Sequence, residues 1–278
     1  MDSIIDYRKC DFYHEDELDN LVELQNVVYK ERGLIFTKDL LRPWYIDNPD
    51  GKVISYNAFD NHHMIGNQLF VPELMLVNGN VVKCLRSMAV VTHPSYRGQG
   101  VFTRLTNYAV EEAMRQNYAF IYGIANGNSC HGYVKYCGFS YVTRLEVKMG
   151  ICRDIQYDQN KTYQRYWTRE ALKWRLSQRK YYKRGNSIYG SFKPGINTFM
   201  GMCEADMLST FTNLREKLPL GVTLYVGLGA KLPWTMFNVP KFIKHSPFNL
   251  IFRDLTDGML PPMNKDNVFY QLMDFDVA

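Results

Sequence analysis

The chain has 278 residues, 46% of them hydrophobic and 22% charged, a globular composition that excludes a disordered or low-complexity polypeptide. Its 33 Lys+Arg against 28 Asp+Glu leave a formal charge of +5, which suits an anionic ligand but does not argue for nucleic acid. No apolar run reaches the ~18 residues of a membrane helix. No basic, then apolar, leader opens the chain, and the six cysteines show no C-x-x-C spacing, so a cytoplasmic protein with reduced thiols is expected.

Leu18, Leu21, Val22, Val28 and Tyr29 recur at helical spacing and stop at the capping glycine Gly33. A short second helix starts at a Thr37 cap and is interrupted by Pro43. Two hairpins follow. Ile54–Phe59 and Met64–Phe70 flank Asp60-Asn61-His62, and Glu73–Val77 and the segment from Val81 flank Asn78-Gly79. Met88-Ala89-Val90-Val91 reads as a buried strand. After Thr92-His93-Pro94, Phe102, Leu105, Ala109 and Ala113 mark the buried stripe of a helix ending at Gln116-Asn117. Tyr118–Ile124 is another buried strand, Asn126 to Ser129 caps a short helix stopping at Gly138, and Phe139–Met149 is a strand. Strand, glycine loop, helix, strand is a βαβ unit, so its two strands are expected to be parallel.

After a polar stretch over 154–161, the spacing predicts a helix over 166–184 and strands at Ser187–Phe192 and Asn197–Cys203. A helix at Met207–Leu218 and strands at Val222–Gly227, Asn249–Asp254 and Val268–Val277 complete the reading. The plan is α/β with mixed sheets, divided at about 150 residues per domain into 1–152 and 153–278. Between Arg165 and Arg184, basic residues interleave with aromatics. Trp167, Ala171, Trp174 and Tyr181 fall on one helical face, which favours a packed amphipathic helix over a nucleotide-phosphate site.

The chemistry centres on Arg97-Gly98-Gln99-Gly100-Val101-Phe102, where a buried strand hands over to a helix. Glycines let the backbone turn tightly there, and the helix's first N–H groups and macrodipole favour an anion. Taken alone, the loop is equally a βα turn that binds nothing. The longer run Met88–Val91, Thr92-His93-Pro94-Ser95-Tyr96-Arg97-Gly98-Gln99-Gly100 strongly resembles the acetyl-CoA signature of the GNAT N-acetyltransferase superfamily. The family's R/Q-x-x-G-x-G/A falls on Arg97, Gly100 and Phe102, where Phe102 replaces a small residue. That variant is similar to a two-lobed subgroup found in polysaccharide and amino-sugar biosynthesis. Asn128-Ser129-x-x-Gly132-Tyr133-Val134-Lys135-Tyr136-Cys137-Gly138-Phe139 resembles a second family element.

The resemblance covers residues 1–150 and implies a GNAT-like domain. The remainder is a C-terminal α/β lobe contributing to acceptor binding, open to reading as a degenerate second GNAT copy. It implies acetyl-CoA as co-substrate in the V between the two parallel strands. The backbone of Met88, Ala89 and Val90 would hold the pantetheine arm. Arg97 and the amides from Gly98 through Gln99, Gly100 and Val101 to Phe102 would hold the pyrophosphate, with Asn128 also at the cofactor. The reaction implied is direct acetyl transfer to a primary amine, the favoured acceptor being a nucleotide-linked amino sugar. Protein or aminoglycoside-type amines and a non-catalytic acyl-CoA-binding protein are the alternatives.

Tyr133 is the candidate acid for the leaving thiolate, against both Tyr133 and Tyr136 packing in the core. Glu73 and His131 are the candidate bases, against a surface glutamate and a satisfied polar histidine. Trp44, Tyr45 and Asn48 lie in the segment that shapes the acceptor pocket in the family, or else form a capped connection over a buried Trp44. Asp274 and Asp276, two apart on one strand face, reach the acceptor amine or sit at an edge. His62-His63 lacks a third ligand, so no metal is expected. Neither a nucleic-acid nor a membrane partner is expected, and a homodimer is left open.

Overall fold

The structure, a computed structural model, describes residues 5–12, 14–152, 155–157, 160–240 and 246–275. The chain divides into two compact units. The first holds residues 1–73, 83–141 and 251–261; the second holds 74–82, 142–250 and 262–278.

In the first unit, β1 (Asp6–Lys9) precedes α1 (Glu15–Tyr29), which buries Leu18, Leu21 and Leu24. As the spacing predicts, this helix runs into a 3-10 turn closed by Gly33 at φ 67°. The side chain of Thr37 accepts from the Leu40 N–H at 3.3 Å and opens α2 (Lys38–Tyr45). Pro43 was expected to interrupt this helix, and it does not. An interior proline costs ~3 kcal/mol. Burying Leu41, Trp44 and Tyr45 on the same short helix contributes roughly 1.5–3 kcal/mol each and outweighs it.

The two expected hairpins share one long strand. β2 (Ile54–Asp60) pairs antiparallel with β3 (His63–Val77), and β4 (Asn80–Thr92) follows. Asn61 (φ 54°), Asn78 (φ 49°) and Gly79 (φ 80°) supply the left-handed turn residues. Next come α3 (Val101–Arg115), β5 (Phe120–Ala125) and α4 (Gly127–Tyr136). β4 and β5 are parallel, as the βαβ reading requires, with Leu85, Arg86 and Ser87 opposite Ile121, Tyr122 and Gly123. Met88, Ala89 and Val90 are half-buried rather than buried, whereas Val91 is buried. Ala109, Val110 and Ala113 of α3 pack into the core with Ile54, Phe70, Leu85 and Ile121, and Leu105 packs with Ala58, Ile65 and Val101.

Lys9 Nζ lies 2.5 Å from Glu112 of α3 and, with Gln116, holds that carboxyl below the usual glutamate range. A depressed carboxyl stabilises the fold above about pH 4.5 and loses that contribution as the pH falls. Lys9→Met is therefore expected to shrink the stability difference between about pH 6 and pH 3, read by urea unfolding.

The expected strand over 139–149 is two strands in two sheets. β6 (Ser140–Arg144) joins the first sheet and β7 (Glu146–Gly150) the second. Hydrophobic alternation shows that a segment is extended but not where it changes sheet. β8 (Gln156–Tyr157), β9 (Tyr163–Arg165), α5 (Arg169–Ser177), β10 (Tyr181–Arg184), β11 (Ser187–Lys193), β12 (Ile196–Met202), α6 (Ala205–Ser209), β13 (Val222–Gly227), β14 (Ala230–Lys231) and β15 (Met236–Asn238) follow. β16 (Asn249–Asp254) then enters the first sheet between β5 and β6, giving the order β1-β2-β3-β4-β5-β16-β6, with β9 on β3. Residues 145–248 are thus an excursion between two neighbouring strands.

The second unit's sheet has the order β10-β11-β12-β13-β7-β15. β10, β11 and β12 are antiparallel neighbours, and β12 and β13 run parallel with α6 between them. That is the connectivity of β2, β3, β4, α3 and β5. No glycine loop accompanies it, because β12 enters the five-residue α6 through Cys203-Glu204.

Three readings of this half are corrected. The helix predicted over 166–184 covers only Arg169–Ser177, and Tyr181 belongs to β10, paired with Gly190. The helix predicted over 207–218 is the short α6. The strand predicted over 268–277 is a pair of isolated bridges at Val268 and Tyr270 and a 3-10 turn at Leu272–Asp274. Asp276 and residues 154, 158 and 159 of the polar stretch lie outside the described residues. Among the described residues, no helix is long and apolar enough to cross a membrane.

Candidate active site

β4 ends in a built turn. The His93 N–H donates to Ile65 O at 2.8 Å, its Nδ1 accepts from the Ser95 N–H, and Gln99 Nε2 donates to Ser95 O at 3.1 Å. Tyr96 hydrogen-bonds Asp60, which pushes its phenol above the usual value. Gly98 (φ 78°) and Gly100 (φ 77°) adopt left-handed backbone, and Gly100 is the N-cap of α3. The N–H groups of Val101, Phe102 and Thr103 have no intrahelical acceptor by helix geometry. They open on a cleft of about 590 Å³ lined by Thr92, Arg97, Gly98, Gly100, Phe102 and Tyr136. An anion seated there meets several donors and the positive helix end.

Phe102, the departure from the family pattern, borders the cleft and packs its ring against α4. Its ring stands edge-on to Tyr133 at 4.9 Å between centroids. A Cβ on Gly132 would meet Phe102 Cε1 at 2.7 Å, so that glycine makes room for the ring. Gly132→Val is expected to destabilise by about 1–3 kcal/mol through overpacking, with Phe102→Ala in the same chain recovering part of the loss in thermal unfolding.

Between β4 and β5 the ladder runs to Ser87 opposite Gly123, where a Cβ on Gly123 would lie 2.9 Å from Ser87 Cβ. Ala89 then takes φ 49°, a left-handed residue within a strand, which bends β4 and costs of order 1–2 kcal/mol. A small cavity of about 40 Å³ opens beyond the bend, lined by Ser87 to Val90, Gly123 to Ala125, Ser129, Tyr133 and Ile251. The expected placements of Met88, Ala89 and Val90 border this cavity, and those of Arg97, Gly98, Gly100, Val101 and Phe102 border the larger cleft. Gln99 is exposed and braces the turn. Asn128 is exposed in the first turn of α4, its N–H given to the Asn126 cap.

Tyr133 is 2% exposed, and burial pushes its phenol well above the usual range. Its hydroxyl donates to Gln68 Oε1 at 3.0 Å and lies 2.7 Å from Ser87 Oγ. Tyr136 is exposed at the larger cleft. Glu73 is 6% exposed and forms an ion pair with the equally buried Arg86 at 2.7 Å, while Tyr122 donates to its other oxygen. Its burial corrects the reading as a surface glutamate, and the carboxylate is engaged by a charged partner. His131 is exposed on α4, edge-on to Tyr136 at 6.1 Å. Burial pushes the Cys137 thiol up to about 11 and Cys203 to about 12, so neither is a thiolate nucleophile near neutral pH.

Trp44, Tyr45 and Asn48 are nine-tenths or more buried. Tyr45 accepts from Gln25 at 3.1 Å, and Asn48 donates to Pro72 O at 3.0 Å and accepts from the Asp50 N–H at 3.1 Å. These side chains are buried and hold the chain between α2 and β2, as the capped connection over Trp44 requires. Asp274 belongs to the second unit and is 2% exposed. Its carboxylate accepts from the Gln271 N–H at 2.7 Å and the Trp167 indole at 3.2 Å, a cap inside the fold rather than a strand-edge group. The 88–102 signature does not include Ser87 or Gln68. Their signal was present: polar side chains inside otherwise apolar strands.

Residues 9–142 match the sequence model of an acetyltransferase (GNAT) domain. That stretch is similar to a GNAT acetyltransferase domain. A domain of this kind is an acyltransferase that uses acetyl-CoA as donor. The structure is similar to a probable N-acyltransferase of unknown function from Enterococcus faecalis, at TM-score 0.60 and 10% identity over 91% of this chain and 73% of that one. It is also similar to GCN5-related N-acetyltransferases from Anabaena variabilis (TM-score 0.56, 10% identity, 91% and 74% covered) and Kribbella flavida (TM-score 0.56, 10% identity, 90% and 71% covered). At this identity the likeness is one of fold, and it extends beyond the GNAT domain into the second unit. A search of curated protein sequences returns no match.

Proposed function

We propose that the GNAT domain moves an acetyl group from acetyl-CoA directly to the amine of a nucleotide-linked amino sugar. The observation that carries acetyl transfer is the pair of openings along one strand: the cavity at the Ala89 bend and the amide-lined cleft at Gly98–Gly100. A thioester arm in the first and a diphosphate in the second match their chemistry. The engagement of Glu73 supports the acceptor. A lysine-like amine at ~10.4 must lose about 4.6 kcal/mol of protonation free energy to react at pH 7. With Glu73 bound to Arg86, an amine on a sugar ring is the better match, because neighbouring oxygens lower its basicity. The formal charge of +5 suits an acceptor that carries phosphates.

The test is CoA thiol release by the full chain from acetyl-CoA, with nucleotide-linked amino sugars, free glucosamine, a lysine peptide and an aminoglycoside compared side by side. Fastest turnover with a nucleotide-linked sugar is expected. Faster turnover with the peptide or the drug would remove that acceptor.

A further inference from the structure

We propose that Ser87, rather than Tyr133, hydrogen-bonds the sulfur that leaves the acetyl donor, with Tyr133 and Gln68 as positioning residues behind it. The proposal rests on the acetyl-CoA reading above.

The direction of the hydrogen bonds decides it. Gln68 Nε2 lies 3.1 Å from the Leu69 carbonyl, which can only accept, so the amide nitrogen must face it. Gln68 Oε1 therefore faces Thr106 Oγ1 at 3.1 Å and the Tyr133 hydroxyl at 3.0 Å and accepts from both. Tyr133 has one proton, and it is committed to Gln68. The 2.7 Å contact between Ser87 and Tyr133 is then donated by Ser87, whose oxygen accepts from Gln68 Nε2 at 3.3 Å. The three side chains close a ring. Gln68 and Tyr133 are 0% and 2% exposed, while Ser87 is half-buried and lines the cavity with Met88, Ala89 and Val90.

A turn about the Ser87 Cβ–Oγ bond swings its O–H from Tyr133 onto an anion in the cavity. Tyr133 can then turn its own proton onto Ser87, because Thr106 still satisfies Gln68. The donors line up as Tyr133 to Ser87 to sulfur, each bond strengthening the next. In the transfer itself the N–C bond forms and the C–S bond breaks, its electron pair going to sulfur. The amine gives its proton to water and the thiolate takes one from water. Ser87 and Tyr133 keep their protons throughout, and burial keeps the phenol protonated to act as a donor.

Calorimetric titration of the full chain with CoA and with desulfo-CoA, from about pH 7 to 9.5, tests this without an acceptor. A thiol titrates at ~8.5 when free. A hydrogen bond to the thiolate should make CoA gain on desulfo-CoA by about tenfold as pH rises, the scale of a charge-assisted bond. Ser87→Ala should remove that gain and leave desulfo-CoA affinity within about twofold, Ser87→Thr should keep it, and Tyr133→Phe should reduce it. A gain that survives Ser87→Ala, or that is missing from the parent protein while desulfo-CoA binds, overturns the assignment. So does a loss of desulfo-CoA affinity in Ser87→Ala, which would make the side chain structural. Failure to bind either ligand would instead overturn the acetyl-CoA reading itself.

Discussion

Arg86→Ala is expected to lower the unfolding free energy by about 3–5 kcal/mol, because it removes the guanidinium paired with the buried Glu73 carboxylate. Both side chains are nearly fully buried, at 4% and 6% exposure. The attraction between them does not set that magnitude. The loss comes from removing the cation bonded to a desolvated carboxylate, and the Tyr122 hydroxyl that also donates to it carries no charge to replace that cation. Replacing both partners, Glu73→Leu with Arg86→Met, removes the two desolvation penalties together and is expected to restore stability to within about 1 kcal/mol of the parent. Urea unfolding of the four proteins makes the comparison. A single variant as stable as the parent would show that the pair is not buried in solution.

The same double variant separates structure from catalysis. A general base is worth roughly 10²–10⁴ in rate, so a folded protein lacking Glu73 should lose at least that factor if the carboxylate takes the acceptor's proton. Acetyl transfer within about tenfold of the parent is expected instead, since that carboxylate is held by Arg86 and Tyr122.

Local chemistry was readable wherever a backbone conformation demands a particular residue. Asn78-Gly79 announced its hairpin, and Gly98 and Gly100 announced the turn into α3, because left-handed backbone favours these residues. Asn126 announced α4 by capping the Asn128 and Ser129 N–H groups. What failed depended on partners distant in sequence. Lys, Arg and Trp over 166–184 satisfy a helical pattern, yet Tyr181 and Tyr182 pair with Gly190 and Tyr189 across the Gly185 turn. Neither local propensity nor periodicity records that pairing. The same applies to β16, whose Ile251 reaches the cavity beside Ser87 after the chain has been away for residues 145–248. Trp44 and Tyr45 carried a type of side chain suited to an acceptor pocket. Helix geometry placed them inward all the same.

Gly100→Pro is expected to weaken CoA binding by about 100-fold, or ~2.7 kcal/mol, while the fold persists. Proline requires φ near −65°, whereas Gly100 sits at +77°, so the N-cap must swing to another conformation and carry the neighbouring amides with it. It also deletes one N–H at the mouth of the cleft, and a hydrogen bond to a charged group contributes about 1.5–3 kcal/mol. Gly100→Ala separates the two effects. A Cβ there meets nothing within 4 Å, so alanine adds only left-handed strain of about 1–2 kcal/mol and keeps the amide. Calorimetry should therefore rank CoA affinity as parent, then alanine, then proline, with thermal unfolding confirming that α3 still packs through Leu105, Ala109 and Ala113. Proline and parent binding CoA equally would mean that the amides opening α3 do not hold the diphosphate, and the donor site would have to lie elsewhere in the chain.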